Sequence, residues 1–243
     1  MIYNKKSLGQ NFLIDNNIKR KIVNSINVKD KDVIEIGAGR GDLTDEILKK
    51  KPKSLLLIEK DKRLAEMLKN KYHDIGFVKT HCTDILKFNL ESNAKKGSLI
   101  LGNLPYNISS QILVKTLKFK LWPPKFSDLV FMFQKELGEK ILGKFRSKNY
   151  SRLSILTNYR LKVFSKFIVS PNCFFPKPKI KSIVIHFKPM KRNGIEIKDI
   201  NNLEKITKIL FSKKRKMINK SIKKIIEKNE IKKIENLNKN LRP

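Results

Sequence analysis

The chain has 243 residues, with 55 Lys and Arg against 22 Asp and Glu, three His, two Cys and a formal net charge of +33. Such a length is one large domain, or one domain with an appendage, and it can bury a core without disulfides or metals. Hydrophobic residues at 40% exclude a disordered polymer, no apolar run approaches the roughly 18 residues of a membrane span, and Met1 to Asp15 has no secretory signal core, so a cytoplasmic protein without a membrane partner is expected.

In chain order, Asp15 to Ile26 reads as a helix on the spacing of Ile14, Ile18, Ile22 and Ile26. Val33 to Ile36 is a short apolar strand ended by Gly37-Ala38-Gly39-Arg40-Gly41, and Leu43 to Lys51 is helical up to Pro52. Ser54 to Ile58 is a second strand with Glu59 at its carboxyl end. A helix over Lys62 to Lys71 and a third strand over Gly76 to Thr80 follow. Ser98 to Gly102 is a fourth strand running into Asn103-Leu104-Pro105-Tyr106. Ser109 to Leu117 is helical, Trp122-Pro123-Pro124 turns, Leu129 to Gln134 is a fifth strand, and Gln134 to Phe145 is helical. Short apolar strands alternating with helices predict an α/β fold with a mostly parallel sheet covered on both faces. Lys162 to Val169 and Lys181 to Phe187 then alternate like a strand pair around the proline-rich turn Pro171 to Pro178, a hairpin suited to an antiparallel sheet edge. Pro189 to Gly194 reads as a hinge. Beyond it Ile206, Ile209 and Leu210, then Ile218, Ile222, Ile225 and Ile226, mark a basic helical appendage. The expected domains are 1–189 and 190–243.

Glycines between a strand and a helix let a nucleotide approach the backbone, but the spacing G-x-G-x-G sets the third glycine one residue early for a dinucleotide fingerprint, which disfavours an oxidoreductase. Glu59 sits where a carboxylate can accept both ribose hydroxyls; an exposed acid at a helix start is an equally good reading. Asp84 suits an adenine amine, or equally an N-cap for the next segment. Acids ending successive parallel strands converge on one crevice, and that coincidence outweighs either residue alone. Asn103 and Leu104 carry the sharpest chemistry. An adenine amine is a poor nucleophile until two acceptors hold its N–H bonds and turn its lone pair toward an electrophile. The Asn103 side-chain oxygen and the Leu104 carbonyl supply two acceptors, Pro105 stiffens the turn, and Tyr106 offers a stacking face.

A/T-rich codon usage explains Lys in preference to Arg but not the shortage of acids, so the charge points to a polyanion, with nucleic acid first. Cys82 and Cys173 make neither a disulfide framework nor a zinc cluster, and no metal is expected. His73, His81 and His186 read as ordinary surface or strand residues.

Four segments occur in a telling order: Lys6 to Leu13 (KSLGQNFL), Glu35 to Thr44 (EIGAGRGDLT), Asn103 to Ser109 (NLPYNIS) and Phe174 to Ser182 (FFPKPKIKS). Together with Leu210-Phe211-Ser212-Lys213-Lys214-Arg215-Lys216 they cover nearly the whole chain, which resembles the KsgA/RsmA family of small-subunit ribosomal RNA adenine dimethyltransferases. The resemblance implies a Rossmann-like S-adenosylmethionine-dependent methyltransferase fold with a small C-terminal helical domain. It also implies S-adenosyl-L-methionine as cofactor, and dimethylation of two adjacent adenosines near the 3′ end of 16S rRNA in the immature small ribosomal subunit. On the same ground a monomer with a role in subunit biogenesis is expected. Asn11 and Leu13 match the arm that covers the cofactor; Gly37, Gly39, Glu59, Asp84 and Asn103 match its other cofactor positions. Asn103 and Leu104 match the residues facing the target amine, and Tyr106 and Phe174 the aromatic pair around the flipped adenine. Without the resemblance Phe174 reads as a core residue beside a turn. Lys213, Lys214, Arg215 and Lys216 match an RNA-binding run, with Lys where the family favours Arg and so without bidentate phosphate geometry. The chain ends at Leu241-Arg242-Pro243, about where the family continues into a last helical segment, so the appendage reads as reduced or truncated. The rival readings are a large-subunit methyltransferase of the antibiotic-resistance type and a non-enzymatic pre-ribosomal RNA-binding assembly factor.

Overall fold

The computed structural model describes residues 10–191 and 199–212. In chain order the elements are β1 (Phe12–Leu13), α1 (Asn16–Val23), β2 (Asp32–Ile36), α2 (Thr44–Leu48), β3 (Ser54–Glu59), α3 (Lys62–Lys71), β4 (Val78–Cys82), α4 (Leu90–Asn93) and β5 (Ser98–Asn103). They continue as α5 (Ser109–Leu117), β6 (Phe126–Gln134), α6 (Lys135–Ile141), α7 (Arg152–Arg160), β7 (Leu161–Val169), β8 (Phe174–Phe175), β9 (Ser182–Pro189) and α8 (Ile200–Phe211). By compactness the described chain divides into one unit of residues 10–138 and 160–191 and another of 139–159 and 199–212. Residues 139–159, which sequence reading assigns to the first domain, thus cluster with the segment after 191.

The first unit carries a seven-stranded sheet in the order β4-β3-β2-β5-β6-β9-β7. The strands from β4 to β6 are mutually parallel, whereas β9 runs antiparallel to both β6 and β7. The expected hairpin therefore forms, with β9 as its inner strand. Ser182 to Phe187 is buried throughout, so both faces of this inner strand are covered. The continuous apolar runs of β2, β5 and β6 have the same cause, as helices cover a parallel sheet. Phe131, Phe133 and Phe187 are fully buried, each worth about 1.5–3 kcal/mol relative to exposure. Aspartates fix two helix starts: Asp15 accepts from the amides of Asn17 and Ile18, and Asp61 from that of Arg63.

Several bounds move from the sequence reading. The third strand lies two residues later, the fifth begins at Phe126, and the helix after it stops at Ile141. Neither α7 nor the two-stranded ribbon of β1 and β8 was signalled by any pattern. The ribbon pairs Phe12 with Phe175 and Leu13 with Phe174, antiparallel. His186 is also more than an ordinary strand residue. It is 2% exposed, and its Nε2 lies 2.6 Å from Asp128 Oδ1. The partners are 58 residues apart in sequence, so spacing conceals them. Cys173 is buried and Cys82 is exposed.

In the second unit, among the described residues, the Tyr150 ring meets Phe145 and Phe211 edge-on at 5.7 and 5.8 Å, and Arg152 lies 3.7 Å from Glu204.

Arg160 closes the carboxyl end of α5 in the first unit. Its buried guanidinium donates to the Leu117 and Phe119 carbonyls at 2.6 and 2.7 Å and lies 4.4 Å over the Trp122 ring. A cation there meets the negative end of the helix and satisfies carbonyls that no later turn can reach. Arg160→Met keeps the length of the side chain but removes the donors, and is expected to cost about 3 kcal/mol of stability. Denaturant unfolding checks this; a loss under about 1 kcal/mol would show that water replaces the donors.

Candidate active site

Strand order reverses at β2, which has β3 on one side and β5 on the other. A parallel sheet opens a crevice at the carboxyl ends of its strands where the order switches. The backbones approach closely here: a Cβ on Gly37 would lie 3.4 Å from the Asn103 carbonyl, and one on Gly102 would lie 2.8 Å from that of Ile36. Gly39 has a φ of +60°, which glycine adopts without strain, and a side chain there would meet the Phe12 ring at 3.2 Å. Phe12 is in turn covered by the Arg40 guanidinium at 4.3 Å.

One pocket forms at this point. Its lining brings together Asn11, Leu13, Gly37, Gly39, Glu59, Asp84, Asn103, Leu104 and Tyr106. These are all the residues that sequence reading assigned to cofactor or amine, apart from Phe174. Phe174 is 2% exposed and packs with Leu13, Val169 and Cys173 in the hydrophobic core; it does not line the pocket. Lys213, Lys214, Arg215 and Lys216 lie outside the described residues.

The segment at residues 10–13 is held over the crevice by four ties. Gln10 Nε2 donates to Asp61 at 3.3 Å, β1 pairs with β8, the Ile14 amide donates to the Cys173 carbonyl at 2.8 Å, and Asn103 Nδ2 donates to the Asn11 carbonyl at 3.0 Å. The last tie sets chemistry as well as position. A carbonyl can only accept, so the NH₂ group of Asn103 must face it, and the amide oxygen is the end left for the pocket.

Glu59 ends β3 and is buried, which sets aside the reading of an exposed acid. Its Oε2 accepts from the Gly39 amide at 2.9 Å, and its Oε1 from those of Lys60 and Asp61 at 2.8 and 2.9 Å. It therefore fastens the glycine loop to β3. Burial pushes its carboxyl up, and these three amides oppose that. Each carboxylate oxygen has two lone-pair sites, so Oε1 is filled by its two amides and Oε2 keeps one site for a hydroxyl donor. Asp84 takes the capping role, Oδ1 accepting from the Leu86 amide at 2.9 Å, and it also lines the pocket. Lys60, 2.8 Å from Oδ2, and the Leu86 amide hold its carboxyl below the usual range. Tyr106 keeps its ring on the pocket wall, with its hydroxyl 2.6 Å from Ser182 Oγ.

Sequence reading missed the apolar wall of Ile58, Leu64 and Ile85, the Phe12 floor under Gly39, and Lys60. Apolar wall residues carry no signal that separates them from core. Phe12 belongs to a recognised segment but shows its contact only through the positive φ of Gly39.

The pocket is acidic although the chain is strongly basic: Glu35, Asp42, Glu59 and Asp84 line it against Lys60. An acceptor for a hydroxyl, carboxylates that can take an amine, apolar walls and a local excess of carboxylates suit a nucleoside that carries positive charge. The fold and this crevice define a Rossmann-like methyltransferase of the S-adenosylmethionine-dependent class. The model of the ribosomal RNA adenine dimethylase family matches residues 1–242, and the chain belongs to that family. A relative from Pelagibacter ubique, ribosomal RNA small subunit methyltransferase A, is 45% identical over 92% of this chain and 84% of its own length. One of the same name from Mycoplasmopsis synoviae is 42% identical over 88% and 80%. A dimethyladenosine transferase from Plasmodium falciparum has a crystal structure with a TM-score of 0.73 and 29% identity, over 87% of this chain and 74% of that one. The 23S rRNA methyltransferase ErmE shares the fold, with a TM-score of 0.66 and 22% identity over 91% and 87%.

Glu35, beneath the glycine loop, accepts from Thr44 Oγ at 2.7 Å. Burial first, then the nearby carboxylates of Asp45, Asp42 and Glu59, push its carboxyl up to about 8. The folded pKa lies above the ordinary value, so the folded form binds the proton more tightly. The resulting stability is complete below about pH 4.5 and is lost as pH rises through about 8. Glu35→Gln keeps the shape and cannot ionise, so its melting temperature should fall less than that of the parent between pH 5 and pH 8. Parallel melting curves for the two proteins would count against a neutral buried Glu35.

Proposed function

We propose that this protein transfers methyl groups from S-adenosyl-L-methionine to the exocyclic amines of two adjacent adenosines near the 3′ end of 16S rRNA, each modified twice. Its substrate is then the immature small ribosomal subunit in the cytoplasm, on which it acts as a monomer during subunit biogenesis. One observation carries this reading: the Asn11 carbonyl holds the Asn103 amide nitrogen at 3.0 Å, which leaves the Asn103 oxygen for a pocket that Leu104 also lines. Two acceptors side by side are what an adenine amine needs to present its lone pair. The identities above 40% to small-subunit enzymes support the choice of subunit.

S-Adenosylmethionine supplies a methyl group already made electrophilic by its sulfonium, so no nucleophilic side chain, metal or strong base is called for. Glu59 would accept a ribose hydroxyl through Oε2 while holding Gly39, Asp84 would accept the adenine amine of the cofactor, and Ile58 and Ile85 would enclose its ring. Asn11 and Leu13 would close over it. Asn103 and Leu104 would fix the target amine, whose lone pair forms the new N–C bond as the C–S bond breaks toward sulfur; the amine proton leaves to water. Catalysis is then placement, in a site that the residue 10–13 segment shields. Tyr106 would offer its face to the unstacked adenine, and Phe174 would act indirectly, anchoring in the core the strand that pairs with Leu13. Domain 1–189 would carry the chemistry, and basic domain 190–243, with Lys213, Lys214, Arg215 and Lys216, the attraction to phosphates.

The deciding experiment is incubation with labelled methyl donor and unmethylated small subunits, followed by mapping of the modified nucleosides. Dimethyladenosine at two neighbouring positions is expected, and Asn103→Ala should lower its formation about 100-fold or more. Label found in large-subunit RNA alone, or an Asn103→Ala protein as active as the parent, would overturn the reading. Glu59→Ala should weaken S-adenosylmethionine binding about tenfold or more by calorimetry. Unchanged affinity would remove Glu59 from the ribose site.

A further inference from the structure

From Phe174 to Ser182 the chain forms a strap tied at both ends to the pocket. At one end β8 pairs with pocket-lining Phe12 and Leu13. At the other, Ser182 Oγ meets the Tyr106 hydroxyl at 2.6 Å, and the Lys181 carbonyl accepts from the Lys135 amide at 2.9 Å. Between these ties every residue from Phe175 to Lys181 is exposed except half-buried Pro178. The strap holds Lys177, Lys179 and Lys181 and no acid, while Pro176 and Pro178 fix two of its φ angles.

Its two aromatic neighbours face opposite ways, as strand geometry requires. Phe174 is 2% exposed and belongs to the core, whereas Phe175 is 61% exposed. A single exposed ring is common on protein surfaces. This one differs in setting: main-chain pairing holds it opposite Phe12 at the rim of the pocket, with three lysines and the half-exposed Ile180 on the same short, stiff segment. A fixed aromatic face among lysines is how proteins hold unpaired nucleotides, the ring stacking on a base and the cations meeting phosphates. The ring stands outside the pocket lining, so the base it suits is not the one being methylated.

We propose that Phe175 is a stacking platform for the nucleotide next to the target adenosine, with Lys177, Lys179 and Lys181 meeting the phosphates around it. This inference rests on the RNA-methylating function proposed above. It gives the strap a positioning role: holding one neighbour outside keeps the strand unstacked while the target lies inside. Where two adjacent adenosines are modified, each would take the platform while the other is in the pocket.

The test uses the full chain as Phe175→Ala, Phe175→Leu and Phe175→Trp, with a small-subunit RNA hairpin carrying 2-aminopurine beside the target adenosine. Stacking on an aromatic ring quenches the fluorescence of that base. Phe175→Ala and Phe175→Leu should bind the hairpin about fivefold or more weakly and lose the quenching, while Phe175→Trp restores both. S-Adenosylmethionine affinity should match the parent in all three, which excludes misfolding as the cause. Full affinity and quenching in Phe175→Ala, in a protein whose parent methylates RNA, would overturn the platform and leave the function standing. Rescue by Phe175→Leu would make the ring mere packing, and that also overturns it. A parent protein that methylates no adenosine would overturn both.

Discussion

The hydrogen bond from Asn103 Nδ2 to the Asn11 carbonyl decides which end of a nearly symmetric amide meets the pocket. On the proposed function, a reversed amide would offer N–H bonds to an amine that itself needs acceptors. The segment that closes the crevice is therefore also the segment that orients its key side chain. Its own position depends on long-range ties: Gln10 to Asp61, the Ile14 amide to Cys173, and the pairing of β1 with β8. The main chain of β8 thus reaches the pocket through β1, although buried Phe174 itself does not line it.

Electrostatics divides the molecule into two regions. A net charge of +33 attracts a polyanion, yet the pocket concentrates carboxylates. If all of them were ionised, mutual repulsion would loosen the glycine loop. Burial avoids this by keeping Glu35 protonated, whereas Asp61, held down to about 2 chiefly by Arg63, stays charged outside the lining and anchors Gln10. Glu59 lies between these cases, since three backbone amides oppose the cost of burying it. A cationic ligand suits the pocket and a polyanion suits the exterior, as expected of an enzyme that brings a sulfonium and an RNA together.

Features written in local pattern were readable in advance. The apolar runs of β2, β3 and β5 gave the parallel sheet, and α3, capped by Asp61, and α5 keep the predicted bounds because their periods are local. The pocket lining was readable where glycine, acid or amide chemistry marks a strand end. Pairing between distant segments was not. Two-residue strands such as β1 and β8 have no period to detect, and their register joins residues far apart in the chain. The same holds for Asp128 and His186, and for α7, whose apolar residues lack a clean helical stripe. Phe174 and Phe175 show the limit best. Sequence presents two adjacent phenylalanines, and only the pairing of β8 with β1 decides which one enters the core.

A crystal structure of the protein with S-adenosylhomocysteine and a short RNA containing the target adenosine would test the orientation of Asn103 most directly. The account predicts that Nδ2 stays on the Asn11 carbonyl while the adenine amine donates to Asn103 Oδ1 and to the Leu104 carbonyl. An Asn103 amide turned over in that complex, or an adenine amine bound away from both oxygens, would contradict it.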